Sequence, residues 1–205
     1  GGATQSRDLP IPGRELDGIY LAMEYLPMQN RWNENGGKGV YEGITAKDKN
    51  VIILGGGDTG ADCLGTAHRQ GAKSVRQYEL LDRPPDQRSL DNPWPTWANI
   101  YRTSGAHEEG GERDYSILTK SFSGENGRVT ALEGVRLNWE QASDGRPIMN
   151  EVEGSEFSDP VDLVLLALGF LGPETGGMLE QLGVGLSERG NVICDDDRMT
   201  NVPGV

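Results

Sequence analysis

Two apolar runs stand out along a chain whose hydrophobic and polar positions are otherwise mixed. Residues 51–54 are all aliphatic and end a strand expected over Asn50–Leu54, while residues 161–169 contain a single charged side chain. Strands covered on both faces show this pattern, so both runs predict strands of a parallel sheet, the second at its centre. A segment rich in alanine over 58–70 is typical of a helix, and another strand is expected over 74–81. This alternation predicts an α/β fold with a Rossmann-like parallel sheet.

The remaining elements are a short helix and an antiparallel meander. Apolar residues between Leu16 and Leu26 predict the helix, and Pro27 is expected to end it. Three further strand-like segments are separated by glycine-containing turns, which predicts a β-meander inserted into the parallel sheet. The expected strands of the meander are 115–122, 129–139 and 147–152.

Residues 82–97 break every regular pattern. They contain four prolines and the tryptophans Trp94 and Trp97. Regular elements do not tolerate that proline density, so we expect a loop. The tryptophans are interpreted as anchors of this loop on the protein surface, in preference to a role in stacking on a cofactor.

The turn between the first strand and the long helix carries the most specific motif, with glycines at the spacing G-x-G-x-x-G. The first glycine allows a tight turn, the second lets phosphates approach the backbone, and the third lets helix and strand pack closely. An acidic and a hydroxyl residue fall in the first helical turn, where they are favoured. The motif predicts that the pyrophosphate of a dinucleotide lies against the helix N-terminus; a turn without a ligand is the alternative. The candidate residues are Gly55, Gly56, Gly57, Asp58, Thr59 and Gly60.

Two further places are candidates for the same site. Glu79 follows the glycines by about twenty residues, where a carboxylate normally accepts hydrogen bonds from the adenosine ribose. Leu168, Gly169 and Phe170 follow the second apolar run, at the carboxyl end of the sheet where ligands gather. A glycine that simply ends the strand is an equally good interpretation of that tripeptide.

Composition narrows the classes of partner. The chain has 205 residues and a formal net charge of −13. This charge argues against binding to nucleic acid and to anionic membranes, and no apolar stretch is long enough to span a bilayer. Cys63 and Cys194 lie far apart and His68 and His107 are isolated, so no metal site is indicated. Cys63 is expected to be a packed thiol, and the cysteine usage favours a reducing, cytoplasmic compartment.

Several segments closely resemble the small, or beta, subunit of glutamate synthase. The resemblance extends nearly from end to end, and it includes the loop of prolines and tryptophans, which is not a general feature of Rossmann folds. The segments that carry it are 9–16, 23–27, GGGDTGADC at 55–63, YELL at 78–81 with the prolines at 84–85, DNPWPTW at 91–97, 118–120, and DLVLLALGFLGPE at 162–174.

The resemblance implies a flavoprotein with two dinucleotide sites, in which an NAD(P)H-binding domain is inserted into a split FAD-binding domain. NAD(P)H would reduce FAD, and electrons would pass through iron–sulfur clusters to the large subunit, which makes glutamate from glutamine and 2-oxoglutarate. The FAD and iron–sulfur sites would be complete only in the full-length protein, because this sequence lacks the cysteine clusters and the first FAD-binding glycine motif of the family. We therefore expect a fragment that is inactive alone.

The resemblance also divides the chain. Residues 1–17 would be a linker at the edge of the FAD-binding domain, 18–165 the NAD(P)H-binding domain, and 166–205 a return segment toward the FAD-binding domain. The alternatives are the NAD(P)H module of a related iron–sulfur flavoprotein with another acceptor, and a non-catalytic nucleotide-sensing domain.

Some candidate residues favour NADH and others favour NADPH. Hydride transfer from a nicotinamide depends on positioning, so no catalytic side chain is expected. Glu79 alone favours NADH, because a carboxylate repels a 2′-phosphate. Arg83 and Arg88 lie just downstream and are candidates for binding that phosphate, with solvated loop charges as the alternative. The resemblance favours NADPH.

Overall fold

The computed structural model describes residues 2–205, and this part of the chain forms eleven strands and four helices. The elements in chain order are β1 (Gln5–Ser6), β2 (Ile19–Leu21), α1 (Ala22–Glu34), β3 (Asn50–Leu54), α2 (Asp58–Arg69), β4 (Ser74–Tyr78), α3 (Gly105–Glu108), β5 (Glu112–Asp114), β6 (Ile117–Glu125), β7 (Arg128–Gln141), β8 (Pro147–Glu151), β9 (Phe157–Pro160), β10 (Leu163–Leu166), β11 (Phe170–Gly172) and α4 (Met178–Leu182).

Five strands form a parallel sheet in the order β2-β10-β3-β4-β5. The strand β10 lies between β2 and β3, and all four of its residues are buried. Its side chains are aliphatic because both faces of the sheet are covered at this position. The predicted α/β fold is confirmed. The second apolar run is an interior strand, as its burial requires, but the middle strand of the five is β3 and not β10.

The meander forms a second, antiparallel sheet. Strands β6, β7 and β8 follow one another as predicted, and Asn126 and Gly127, both at positive φ, form the tight turn between β6 and β7. The strand β9, which the sequence analysis missed, pairs with the first half of β7. It also ties the two sheets together, because Asp159 of β9 accepts hydrogen bonds from Arg76 and Tyr78 of β4.

The parallel sheet separates two hydrophobic cores. On one face Val51, Ile53 and Leu165 pack with α1 and α2. On the other face Ile52 and Leu54 pack with residues of the meander. Successive strand residues thus point to opposite cores, and the sheet is sandwiched between helices and the meander.

The expected helix over 16–26 is wrong. Ile19–Leu21 forms the edge strand β2, and the helix α1 starts at Ala22 and continues to Glu34. Pro27 lies inside α1 instead of ending it. The parallel pairing of Ile19–Leu21 with β10 is a contact with residues more than 140 positions away in sequence, which no local pattern reveals.

The strand expected over 74–81 ends earlier, at Tyr78. Beyond this point the chain leaves β4, because the carbonyl groups of Glu79 and Leu81 accept hydrogen bonds from the backbone of Ile117 and Ser116. These contacts place the start of the meander directly beside the carboxyl end of β4.

The chain divides into two compact units. Asp8–Leu168 contains the parallel sheet, the meander and both hydrophobic cores. The other unit comprises the chain up to Arg7 together with Gly169–Val205, and it contains the antiparallel pair β1–β11 and the helix α4.

The two cysteines have contrasting environments. Cys63 of α2 is buried, and burial raises the pKa of its thiol to about 12, as expected for a packed thiol. Cys194 is exposed.

Candidate functional site

Two glycines of the β3–α2 turn are required by packing. Gly55 has a φ of +117°, and a Cβ at this position would lie 2.2 Å from the carbonyl oxygen of Ala167. A Cβ at Gly60 would lie 2.4 Å from the carbonyl oxygen of Gly55. Both positions therefore exclude any side chain, because the backbones of the turn, the helix and the segment after β10 approach so closely.

Gly57 differs from these two. It is the N-cap of α2 at a negative φ, and a Cβ there would have no atom within 4 Å. In the described chain, the backbone N–H groups of residues 57–60 have no hydrogen-bond acceptor, and no side chain caps the helix. Free N–H groups at a helix N-terminus carry partial positive charge and bind anions. The turn thus presents unbonded donors, and those of the exposed residues Gly57 and Asp58 are accessible to a ligand.

Glu79 is held at the edge of this turn. One oxygen of its carboxylate accepts the backbone N–H of Gly56 at 2.5 Å, and the other accepts that of Leu81 at 3.3 Å. The carboxylate is thereby fixed next to the donors of the helix N-terminus. A polyhydroxyl group bound beside it would find an oriented acceptor.

The turn and Glu79 open into a cavity of about 700 Å³ that lies entirely within Asp8–Leu168. This volume is within the ordinary range of small-molecule sites. Residues from the β3–α2 turn, from the segments after β4, from β5 and from the β7–β8 hairpin line it. They are Gly56, Gly57, Asp58, Ala61, Glu79, Leu81, Asp82, Pro84, Trp97, Asn99, Ile100, Tyr101, Arg102, Ser104, His107, Arg113, Tyr115, Trp139, Glu140, Gln141 and Pro147.

Two arginines line the cavity together with four acidic side chains. Neither Arg102 nor Arg113 forms an ion pair with a carboxylate in the described part of the chain. Arg113 donates to the carbonyl of Arg102 at 2.8 Å and to the hydroxyl of Tyr101, while Arg102 lies over the ring of Trp97. In a chain with 32 acidic and 19 basic residues, two guanidinium groups without carboxylate partners leave positive charge available to an anion.

A chain of hydrogen bonds joins the turn to α3. Gln77 is 1% exposed and donates to the carbonyl of Gly55 at 2.8 Å, and its side-chain oxygen lies 3.1 Å from Nε2 of His107. Nδ1 of His107 accepts the backbone N–H of Ser104 at 3.1 Å. This arrangement requires the neutral tautomer with the proton on Nε2. Burial also lowers the pKa of His107, which favours the same neutral form.

The hairpin of the meander contributes an indole ring. Nε1 of Trp139 donates to the carbonyl of Leu80 at 3.2 Å. Trp139 and Glu79 line the same cavity. Trp139 thus connects the meander to the cavity.

Several residues proposed from the sequence do not line the cavity. Arg83 pairs with Asp86 at 2.6 Å, and Arg88 donates to the carbonyls of Asn92 and Thr96. Leu168 packs against the core on the meander side of the sheet. Gly169 and Phe170 belong to the other unit, where Phe170 is in β11.

Most lining residues were not selected by the sequence analysis, and four of them carry the functional argument: Arg102, His107, Arg113 and Trp139. Arg102 and His107 follow the proline-rich segment, Arg113 belongs to a strand of charged residues, and Trp139 belongs to the meander. The available signal was the cluster Trp97, Tyr101 and Arg102, in which two aromatic residues and one arginine lie within six positions, and it pointed only to Arg102.

Comparison with known proteins finds relatives that align with the whole chain. No protein-family model matches it. A glutamate synthase small chain from Mycobacterium tuberculosis, designated NADPH, is 55% identical over 208 residues that include 100% of this chain. Over its whole length, the chain is homologous to part of the glutamate synthase small chain. The resemblance inferred from the sequence is confirmed.

Other glutamate synthases align over the same extent. That of Schizosaccharomyces pombe, designated NADH, is 47% identical over 100% of this chain and 10% of its own length. The small chain from Bacillus subtilis, designated NADPH, is 36% identical over 100% of this chain and 43% of its own length. The chain spans 42% of the Mycobacterium tuberculosis relative, so it corresponds to less than half of these proteins.

Solved structures share the fold at low identity. Mycobacterium tuberculosis FprA in complex with NADPH has a TM-score of 0.61 and 14% identity, over 98% of this chain and 54% of that protein. Thioredoxin reductase from T. acidophilum has a TM-score of 0.57 and 19% identity, over 99% of this chain and 53% of that protein. These likenesses support the fold assignment alone.

Two features are absent from residues 2–205. No helix in this range has the length and apolar character needed to cross a membrane. The same range contains no group of three or more histidine, cysteine, aspartate or glutamate residues arranged to hold a metal ion.

Proposed function

We propose that Asp8–Leu168 is the NAD(P)H-binding module of a glutamate synthase small chain. The observation that carries this proposal is the set of free N–H groups at the N-terminus of α2, of which those of Gly57 and Asp58 belong to exposed residues that line a cavity of about 700 Å³. Those donors suit a diphosphate, and the adjacent carboxylate of Glu79 suits the ribose hydroxyls. The homology to glutamate synthases supports the same conclusion.

Each part of the turn has a defined role in this proposal. The N–H groups of Gly57 and Asp58 bind the diphosphate, and the absence of a Cβ at Gly57 lets it approach the backbone. Thr59 and Gly60 complete the positive end of α2, and Glu79 orients the adenosine ribose. Arg102 and Arg113 attract the phosphates electrostatically. When bound, the coenzyme supplies a hydride, and the residues of this chain contribute binding and orientation, with no catalytic side chain.

The activity of the complete protein follows from the family as a proposal. The hydride would reduce FAD, and iron–sulfur clusters of the full-length protein would carry electrons to the large subunit, the expected partner. The large subunit would form glutamate from glutamine and 2-oxoglutarate. The complete protein would therefore be an NAD(P)H-dependent oxidoreductase.

The preferred coenzyme is proposed to be NADPH, with NADH as the alternative. Relatives designated NADPH and NADH both align with the whole chain, so their names leave the choice open. The carboxylate of Glu79 favours NADH, but it already accepts two backbone hydrogen bonds. Arg102 and Arg113 line the same cavity and favour the extra phosphate of NADPH. Arg83 and Arg88, the candidates from the sequence, do not line the cavity, although Arg83 lies 3.9 Å over the ring of Tyr101, which does.

The substitution Gly57→Ala tests the proposed function. The added methyl meets no atom of the chain and the φ is negative, so we expect the free energy of unfolding to change by less than about 1 kcal/mol. The methyl would occupy the position of the diphosphate, so affinity for NADPH and NADH should fall at least about tenfold. Isothermal titration calorimetry with both coenzymes measures the affinities, and thermal unfolding measures the stability.

Gly105→Ala is the matched control. Gly105 is the first residue of α3, a methyl group there would likewise meet no atom within 4 Å, and the residue does not line the cavity. This variant should bind both coenzymes like the unmodified chain. If the unmodified chain binds neither coenzyme, or if Gly57→Ala binds both as before, the proposal is wrong. Binding without flavin reduction in the complete protein would favour a nucleotide sensor.

A further inference from the structure

The hairpin between β7 and β8 reaches the cavity from the meander. Trp139, Glu140 and Gln141 at the end of β7, together with Pro147 at the start of β8, line it. The other lining residues come from the β3–α2 turn and from the chain between Glu79 and Tyr115. The meander therefore supplies part of the lining, and the connections of the parallel sheet supply the rest.

The indole of Trp139 is fixed at the carboxyl end of β4. Its only polar atom, Nε1, is bonded to the carbonyl of Leu80 at 3.2 Å, so the part of the ring that lines the cavity is apolar. Leu80 stands next to Glu79 in sequence. Leu81, Pro84 and Pro147 add further apolar lining to the same cavity.

Trp139 also has a ring that no other group engages. Four tryptophan and tyrosine side chains line the cavity, and the rings of three of them contact a guanidinium group or another aromatic ring. Trp97 lies under Arg102, and Tyr101 contacts both Arg113 and the ring of Tyr115. Within residues 2–205, Trp139 has neither an aromatic nor a cationic partner at stacking distance.

We infer that Trp139 is the residue on which the adenine base of the coenzyme stacks. This inference rests on the proposed function and extends it to the meander. With the diphosphate at Gly57 and the ribose at Glu79, the next group of the coenzyme is the base. The base is a flat aromatic system. Trp139 supplies the unpartnered ring in the cavity that Glu79 also lines, and its Nε1 is bonded to the residue that follows Glu79 in sequence. The meander therefore serves as a binding element for the adenosine half, and it acts equally on NADH and NADPH because both carry the same base.

The test compares Trp139→Ala, Trp139→Phe and the control Trp94→Ala in the full chain. Trp94 is 82% exposed, and it does not line the cavity. Stacking of a base on an aromatic ring has a large effect on affinity, so Trp139→Ala should weaken binding of 5′-AMP, NADH and NADPH by a common factor of about 10. Trp139→Phe keeps a ring and should lose less affinity, while Trp94→Ala should bind all three ligands unchanged.

Tryptophan fluorescence gives a second readout that does not require the alanine variant to fold. Addition of 5′-AMP should quench the emission of the unmodified chain, of Trp94→Phe and of Trp97→Phe, and the quenching should be strongly reduced in Trp139→Phe. Unchanged affinities in folded Trp139→Ala, or quenching in Trp139→Phe as strong as in the unmodified chain, would overturn the inference while leaving the proposed function intact. Failure of the unmodified chain to bind any of the three ligands would overturn both.

Discussion

At the scale of single residues, the three motif glycines have different reasons to be glycine. Gly55 and Gly60 are required for folding, because a Cβ at either position would overlap a backbone oxygen. Gly57 is surrounded by open space, so nothing in the fold of the chain itself requires it. Its constraint comes from the ligand that we propose. In this motif, packing therefore requires glycine at positions 55 and 60, and the proposed ligand requires it at position 57.

Glu79 should set the preference between the two coenzymes. We expect Glu79→Gln to weaken binding of NADH and to strengthen binding of NADPH, because the amide is a poorer acceptor for ribose hydroxyls and does not repel a 2′-phosphate. Hydrogen bonds to charged groups contribute roughly 1.5–3 kcal/mol, so the ratio of the two dissociation constants should shift by about tenfold or more. Calorimetric titration with each coenzyme measures this ratio.

Glu140→Gln is the matched control for this change, since Glu140 lines the same cavity from the hairpin. It removes the same charge without touching the β3–α2 turn, and the ratio should stay close to that of the unmodified chain. Equal effects of the two substitutions would contradict a specific role for Glu79.

The sequence predicted the residues of the site that are close to one another along the chain. The glycines and Glu79 belong to one strand–turn–helix–strand unit with fixed spacing, so their proximity could be inferred. Arg113 and Trp139 reach the cavity through pairing of β5 with β4 and through the hydrogen bond to Leu80. These contacts join residues far apart in sequence, and no hydrophobic pattern along the chain predicts them.

At the scale of elements, short edge strands escaped the sequence analysis. The strand β5 is Glu112-Arg113-Asp114, with no apolar residue, yet it completes the parallel sheet and brings Arg113 to the cavity. Charged residues are common on edge strands, where they prevent pairing with other chains. The strand β2, at the other edge, was mistaken for part of a helix. Its three residues are too few to show the two-residue alternation of a strand. The two-sided burial of β3 and β10, in contrast, makes their apolar runs unmistakable.

The single turn of α3 should depend on the protonation of His107. Burial lowers the pKa of His107 in the folded chain, so the unfolded chain binds this proton more tightly. The contribution of the neutral imidazole to the free energy of unfolding is therefore complete above the ordinary pKa of about 6.5, and it is lost as the pH falls through the lowered pKa. Protonation would also prevent Nδ1 from accepting the N–H of Ser104.

Urea unfolding of the chain and of His107→Gln between pH 7.5 and 5.5 measures this effect. The unmodified chain should lose stability relative to the variant as the pH decreases. Parallel pH profiles for the two proteins would show that His107 does not titrate in this way.

At the scale of the whole molecule, stability is concentrated in one of the two units. Every buried hydrophobic side chain found in the described residues lies between Ile19 and Ala167. In Gly169–Val205, large apolar residues such as Leu171, Met178 and Ile193 are exposed. Regions with few buried apolar contacts open with low free energy, so this second unit should exchange its amide hydrogens faster than the first.

A truncated chain of residues 8–168 should therefore fold and bind the coenzyme with the affinity of the full chain. It keeps both hydrophobic cores and every residue that lines the cavity. Circular dichroism during heating tests folding, and calorimetric titration tests binding. A folded truncated chain without affinity would mean that residues outside it, such as Gly169 and Phe170, are needed for the site.

The empty surroundings of Gly57 also make position 57 informative across relatives. A homologue with alanine there would accumulate normally in the cell, since the extra methyl disturbs no packing. Its loss of function would escape any screen based on abundance or heat resistance. Under the proposed function, the residue at position 57 therefore separates homologues that bind the coenzyme from homologues that keep only the fold.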